Sequence, residues 1–294
     1  MKSNGALKRL NSIRKPNFGV TFFEGGLGSQ ILAYLELINK IERGIRNVSV
    51  NVDYFKSNFQ YENRNGLTNW SWKLNHYGID LDDLVSKFPE KKSIFYRSPN
   101  LLERTRFILD HELYEVSDKV NEQFQLSEAV GEVRRPFLGN KRGKFAVVHW
   151  RLGDYVSVSS RVQTISELTD NLLQLLRLLP ENIIFVSDGI FDSEVRRQIE
   201  ICCNHNQKRK VFFYDHRFTG IDDYQVHALM RVADVLVTSN STFSYSAGLL
   251  SVNPNPIIFF PTNFFGIDYL NHLFQSKSSI CLMTSSNKSP QVFL

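Results

Sequence analysis

Between Lys144 and Pro261 the chain alternates short, almost wholly apolar runs with stretches of helical periodicity, and few folds accept that rhythm. The apolar runs are Lys144 to Trp150 (KFAVVHW), Asn182 to Ser187 (NIIFVS), Lys210 to Tyr214 (KVFFY), Val235 to Thr238 (VLVT) and Pro256 to Phe260 (PIIFF). Between them lie helical patterns over Ser166 to Leu179, with Ser166 as the expected N-cap, then Asp192 to Cys202, Asp222 to Val232 and Thr242 to Leu250. Strands that are apolar on both faces need cover on both faces, so the pattern predicts a parallel sheet between two layers of helix. Ligands of such sheets bind at the carboxyl ends of the strands. That directs attention to Arg151 to Tyr155, Ser187 to Gly189, Asp215 to Arg217 and Ser239 to Thr242. Val235 to Ile267 carries no charged side chain but is broken by Ser, Asn, Thr and Pro, so it reads as buried core around a site rather than a lipid span.

The first half is less regular. Phe18 to Phe23 reads as a strand, Glu24 to Gln30 (EGGLGSQ) as a Gly-rich turn, Ile31 to Ile41 as an amphipathic helix and Val48 to Val52 as a second strand, which makes one βαβ unit. From about Gln60 to Arg142 polar and aromatic residues mix, with helical stretches near Leu101 to Asp110 and Val116 to Leu126. The stretch Gly131 to Lys144 is polar and basic and holds Pro136, Gly139 and Gly143, so it reads as a linker. The expectation is therefore two domains, residues 1–142 and 143–294, with the last helix packing back on the first domain. A chain of 294 residues fits two domains of roughly 150 each.

Composition removes several classes. At 42% hydrophobic and 22% charged, the chain is neither disordered nor fibrous. Three cysteines, two of them the adjacent Cys202 and Cys203, offer neither a disulfide framework nor zinc spacing. The net charge is +5, with Lys2, Lys8, Arg9, Arg14 and Lys15 near the start. That balance suits an anionic ligand and is too modest and scattered for a nucleic-acid module. No apolar core follows the basic start as a secretory signal requires, so a cytoplasmic location is expected, with the basic terminus able to touch an anionic membrane face.

Three segments carry chemistry. Glu24-Gly25-Gly26-Leu27-Gly28-Ser29-Gln30 lets backbone approach a ligand and offers helix-start N–H groups to an anion. It lacks the third glycine of a dinucleotide fingerprint and the Gly-Lys-Ser/Thr of a P-loop. His149-Trp150-Arg151-Leu152-Gly153-Asp154-Tyr155 places a permanent cation, Arg151, at a strand's carboxyl end. His149 lies on the same face of that strand, and Asp154 stands ready to orient Arg151 or act as a base. Ser239-Asn240-Ser241-Thr242-Phe243-Ser244-Tyr245 follows a strand and opens a helix, which fits both an N-cap and an anion cradle. Together these segments suit a cleft between two Rossmann-like domains that holds a nucleoside diphosphate. Asp80-Leu81-Asp82 has the D-x-D pattern of metal-holding glycosyltransferases and also that of an exposed helix start. Trp70, Trp72 and Tyr77 fit a sugar-acceptor groove or the core.

In this order the segments resemble the α-1,2-fucosyltransferases of bacteria and animals, within the wider fucosyltransferase superfamily. That family carries GGLGNQ, HVRRGDY and NSTFSWW, where this chain has GGLGSQ (Gly25 to Gln30), HWRLGDY (His149 to Tyr155) and NSTFSYS (Asn240 to Ser246). Ser187-Asp188 is also similar to a Ser-Asp of the family. The resemblance implies a GT-B fold of two facing Rossmann-like domains, GDP-fucose as donor, inversion at the anomeric carbon, a glycan hydroxyl as acceptor, and neither metal nor cofactor. By position, Arg151 would contact the diphosphate and His149 the nucleoside, and Ser241 and Thr242 would hold phosphate oxygens. Gly26, Gly28 and Gln30 would approach the donor from the first domain. Ser187, Asp188, Asn240 and Phe243 complete the expected donor-binding set, and Asp154 and Glu24 are both candidates for the catalytic base. The chain departs from the family at Leu152, where a second Arg is usual, at Ser29, and at Tyr245-Ser246. Two further readings stand beside this one: the same architecture with another nucleotide sugar, and a non-catalytic nucleotide- or glycan-binding protein.

Overall fold

In the computed structural model, the C-terminal half is built on a seven-stranded sheet of strand order β11-β10-β9-β8-β5-β6-β7. The residues described are 19–56, 61–63, 66–68, 71–91, 118–126, 134–135, 137–139, 143–152, 164–205, 208–215, 222–261, 280–283 and 291–293. In chain order the elements are β1 (Val20–Phe22), α1 (Leu27–Glu42), β2 (Ser49–Asn51), α2 (Asp53–Lys56), β3 (Tyr61–Asn63), β4 (Gly66–Thr68), a 3-10 turn (Leu74–Tyr77), α3 (Leu81–Lys87) and α4 (Asp118–Gln123). There follow β5 (Phe145–His149), α5 (Ile165–Leu175), β6 (Asn182–Val186), α6 (Ser193–Cys203), β7 (Lys210–Tyr214), α7 (Asp223–Arg231), β8 (Val235–Val237), α8 (Thr242–Leu249), β9 (Ile257–Pro261), β10 (Ile280–Met283) and β11 (Gln291–Phe293).

Strands β5 to β10 run parallel, and β11 closes the edge antiparallel to β10. This is the expected α/β class with a parallel sheet, and a smaller βαβ unit packs against it through α1. The wiring matters for function. From β5 the chain moves outward through β6 and β7, then returns to lay β8 on the other side of β5 and moves outward again through β9 and β10. The order therefore reverses between β5 and β8, and a crevice opens at the carboxyl ends of strands at such a switch point.

Sequence logic accounts for most of the elements. Strand β5 is buried at all five positions, as a central strand covered on both faces must be. The uncharged stretch is buried as expected through β8 and α8, where Ser244 to Leu249 are hidden, but it surfaces between α8 and β9, where Val252 is half exposed. Helices α6 and α7 begin where acids cap them, at Asp192 and at Asp222, the latter in a reciprocal box with Gln225.

The first half supplies β1 and β2, paired parallel, with α1 between them. Lys40 of α1 is fully buried; its Nζ donates to Val20 O at 2.7 Å and Thr21 Oγ1 at 3.0 Å and pairs with Glu36. One apolar cluster runs through both halves, from Leu27, Ile31 and Val50 to Val147, Tyr245 and Ile258.

Several expectations need correcting. The Gly-rich segment is not all turn. Gly26 is the N-cap, and α1 begins at Leu27, with Gln30 N bonded to Gly26 O at 3.1 Å. Thr164, not Ser166, caps α5, through a box with Glu167 that Ser166 cannot form from inside the helix. The segment read as a linker is partly docked: Phe137 and Leu138 are buried, and Phe137 lies edge-on to Phe212 and Tyr214. Strands β10 and β11 were not foreseen, because each is only a few residues long and their surroundings are polar. The helix expected at Leu101 to Asp110, the basic terminus and the last helix lie outside the described residues.

Candidate functional site

The end of β5 and the start of α8 meet across the switch point. His149 is buried there, and its Nδ1 lies 2.8 Å from Ser239 Oγ. Burial pushes its imidazole down to about 4; Asp188 opposes that shift and Arg151 adds to it. At neutral pH the ring is therefore neutral. Two residues on, Arg151 Nη1 donates to Ser241 Oγ at 3.1 Å, and Arg151 Nε lies 3.5 Å from Asp188 Oδ2. Asp188 also accepts from Leu152 N at 3.0 Å. So Leu152, whose side chain packs against the apolar cluster on the other face of the sheet, contributes its backbone to the site.

Ser241 resolves the choice between cap and cradle. It is the N-cap of α8, accepting from Phe243 N at 3.3 Å, and the same oxygen receives Arg151. Capping and cation positioning share one hydroxyl.

The first half closes the opposite rim. Gly25, at φ +71°, turns the chain into α1. A Cβ on Gly28 would stand 2.5 Å from the backbone of Thr242 and Phe243, so only glycine lets α1 rest on the start of α8. Beside it, Ser29 Oγ lies 3.2 Å from Thr242 Oγ1. Two helix N-termini thus face one space, and neither carries an acid in its first turn. Each presents partial positive charge to that space.

The space is a cavity of about 430 Å³, within the range of small-molecule sites. Of the expected residues, Gly26, Gly28, His149, Arg151, Ser187, Asp188, Thr242 and Phe243 line it. Others do not. Gln30 is wholly buried, its amide donating to Gly25 O at 2.8 Å and Ser71 O at 3.0 Å and accepting from Lys73 N at 2.8 Å. It shapes the rim instead of reaching the cavity. Asn240 and Ser241 are buried and do not line the cavity, though Ser241 holds Arg151, which does. Glu24 sits one residue before the lining segment and is only partly exposed. Asp154 lies outside the described residues.

Seven lining residues stood outside the expected set: Gly25, Leu27 and Ser29 within the Gly-rich segment itself, and Val186, Tyr214, Asp223 and Val226 beyond it. The strand-end rule pointed to Asp215, one residue too late. Asp215 is buried and spent on Arg196 at 3.1 Å and Phe191 N at 3.1 Å, so it is structural. Tyr214, the last strand residue, is the one that reaches the cavity. Asp223 reads from sequence only as a helix-start acid; it also faces Lys73 Nζ at 3.3 Å.

The D-x-D segment is a cap, since Asp80 Oδ1 accepts from Asp82 N at 2.8 Å and Asp83 N at 3.1 Å. Among the described residues no three His, Cys, Asp or Glu side chains cluster as a metal site needs. Trp72 packs against Phe23 and Phe55 and donates to Ile79 O at 2.8 Å, so it belongs to the core. Tyr77 is buried, and Trp70 lies outside the described residues. Among the described residues no helix is long and apolar enough to cross a membrane.

The sequence model of Glycosyl transferase family 11 matches residues 40–266, well over half of the chain. No curated protein matches. Solved structures with some likeness include E. coli ADP-heptose lps heptosyltransferase II, at 10% identity and a TM-score of 0.44, covering 90% of each chain. POFUT1 in complex with GDP-fucose aligns at 11% identity and a TM-score of 0.43, over 90% of this chain and 98% of that one. Apo POFUT1 aligns at 12% identity and a TM-score of 0.38, over 78% and 93%.

Proposed function

The chain belongs to glycosyl transferase family 11, and from that premise we propose that it transfers fucose from GDP-fucose to a hydroxyl of a glycan acceptor, with inversion and without a metal. The observation that carries this reading is the convergence of Arg151 and the two helix N-termini on one cavity. Residues 143–294 would hold the donor and residues 1–142 the acceptor side, with the basic N-terminus free to touch an anionic membrane.

The chemistry follows from charge. As the glycosidic bond breaks, negative charge grows on the β-phosphate of the leaving GDP. A fixed guanidinium and the backbone N–H groups that open α1 and α8 stabilise that charge without reorganising. Neutral His149 offers the nucleoside a hydrogen bond rather than a second charge. The acceptor hydroxyl attacks from the opposite face and passes its proton to a carboxylate. Asp154 and Glu24 remain the candidates for that base.

A second reading, the same transfer from a different nucleotide sugar, is favoured by Leu152, which leaves Arg151 as the one cation among the described residues that line the cavity. Calorimetric titration with GDP-, UDP- and CMP-sugars separates the two. Arg151→Ala is expected to lower transfer from GDP-fucose by about 10²- to 10³-fold with the fold intact. Near-normal turnover in a folded Arg151→Ala protein defeats the assignment, and donor binding without transfer to any acceptor supports a non-catalytic binder.

A further inference from the structure

Behind the cavity a single file of hydrogen bonds joins the two halves. Arg231 is buried, with Nε donating to Leu250 O at 2.8 Å, Nη2 to Phe124 O at 2.7 Å and Nη1 to Tyr77 Oη at 3.3 Å. Tyr77 Oη lies 3.1 Å from His227 Nδ1, and His227 Nε2 lies 3.0 Å from Ser246 Oγ. Ser246 Oγ donates to Phe243 O at 3.0 Å. Phe243 lines the cavity, with its ring 5.3 Å from that of His227 and 5.8 Å from that of His149.

Every proton in this file has one place to go. A carbonyl only accepts, so the Ser246 hydroxyl proton goes to Phe243 O, and Ser246 must accept from His227 Nε2–H. Burial holds the His227 imidazole neutral, so Nδ1 carries no proton and accepts from the Tyr77 hydroxyl. Tyr77 in turn accepts from Arg231, which has nothing but donors. The file runs in one direction, from a buried cation to a backbone carbonyl in the first turn of α8. Hydrogen bonds aligned this way polarise and reinforce one another.

The other end of the same segment holds the opposite rim. Lys73 N and Ser71 O bind the amide of Gln30, which holds Gly25 O. Residues 71 to 77 thus reach both rims: Gly25 through Gln30, and Phe243 through Tyr77, His227 and Ser246.

We propose that the segment Ser71–Tyr77 is a strut that sets the separation of the two rims of the cavity, with Tyr77 as its positioning residue. Tyr77 does not touch the cavity; it acts through His227 and Ser246 on the turn that presents Thr242 and Phe243. The consequence for donor binding rests on the function proposed above, but the strut itself does not.

The test uses the full chain with two independent readouts. Hydrogen–deuterium exchange reads the seat of α8 without any ligand. In Tyr77→Phe, exchange of the segment 239–250 is expected to rise at least tenfold, with 165–186 unchanged. GDP titration is expected to show a five- to tenfold weaker Kd for Tyr77→Phe and for the milder Ser246→Ala. His227→Gln, which keeps one donor and one acceptor, should bind within twofold of the parent. Unchanged exchange over 239–250 in both Tyr77→Phe and Ser246→Ala overturns the proposal. So does a rise of equal size over 165–186, which marks general loosening. If the parent binds no GDP, the donor reading fails, while the exchange result still decides the strut.

Discussion

The two halves of the molecule are held together in opposite ways. The C-terminal half owns its framework, a sheet whose central strands are buried among helices of the same half. Among the described residues, the first half has two separate two-stranded sheets and several short helices beside α1, which completes its burial on α8 of the other half. A small sheet cannot bury enough apolar surface to stand alone. The cavity is thus built mainly on the C-terminal half, and the first half, seated against it, supplies one rim. Shared apolar burial also argues against free relative motion, the usual behaviour of halves with a thin polar interface.

Acid is the broadest way to break that arrangement. His149 is held neutral with its pKa down at about 4, against about 6.5 in an unfolded chain. Between those values the unfolded state binds more protons, so stability is complete above pH 6.5 and falls as pH drops toward 4, by about 1.4 kcal/mol per unit. His227 is shifted in the same direction. Chemical denaturation across this window should show the fall, and a flat profile would mean that the ring at the switch point is not sealed from water.

Gly28→Ala attacks the seam directly. The new Cβ cannot fit against the α8 backbone, so α1 must lift, at a cost of about 1–3 kcal/mol. Weaker GDP binding should accompany the lower Tm. An unchanged Tm and Kd would show that the seam gives freely.

The gentlest comparison uses the same truncation on each side. Val147 of β5 and Val50 of β2 are both wholly buried in the shared cluster. Each Val→Ala change should cost on the order of 1–2 kcal/mol, and both should shift one cooperative unfolding transition. A Val50→Ala protein that loses an early transition and leaves a later one untouched would show that the halves unfold separately.

How much of this could be read from the chain depended on the range of the interaction involved. Strands β5 to β9 and their helices were legible because a strand covered on both faces must be apolar throughout. Arg151, Asp188 and Thr242 were legible because ligands gather at strand ends. Gln30 was misread because its three partners include residues about forty positions away, and no local pattern carries such a contact. Gly28 looked like a turn former, since composition reports the need for a small residue but not whether the backbone bends or another helix comes close. Tyr214 was missed because it ends a strand as an apolar residue should, and only the sheet wiring turns it toward the cavity.

The closeness of Ser29 to Thr242 spans 213 positions of sequence. Ribosomes deliver the amino end first, so α1 emerges with Leu27, Ile31 and Leu35 ready for burial long before α8 has been made. Contacts of such long range are slow to close. Until they do, that oily stripe is only partly covered, by elements of its own half, and a polypeptide released before α8 lacks one wall of the cavity.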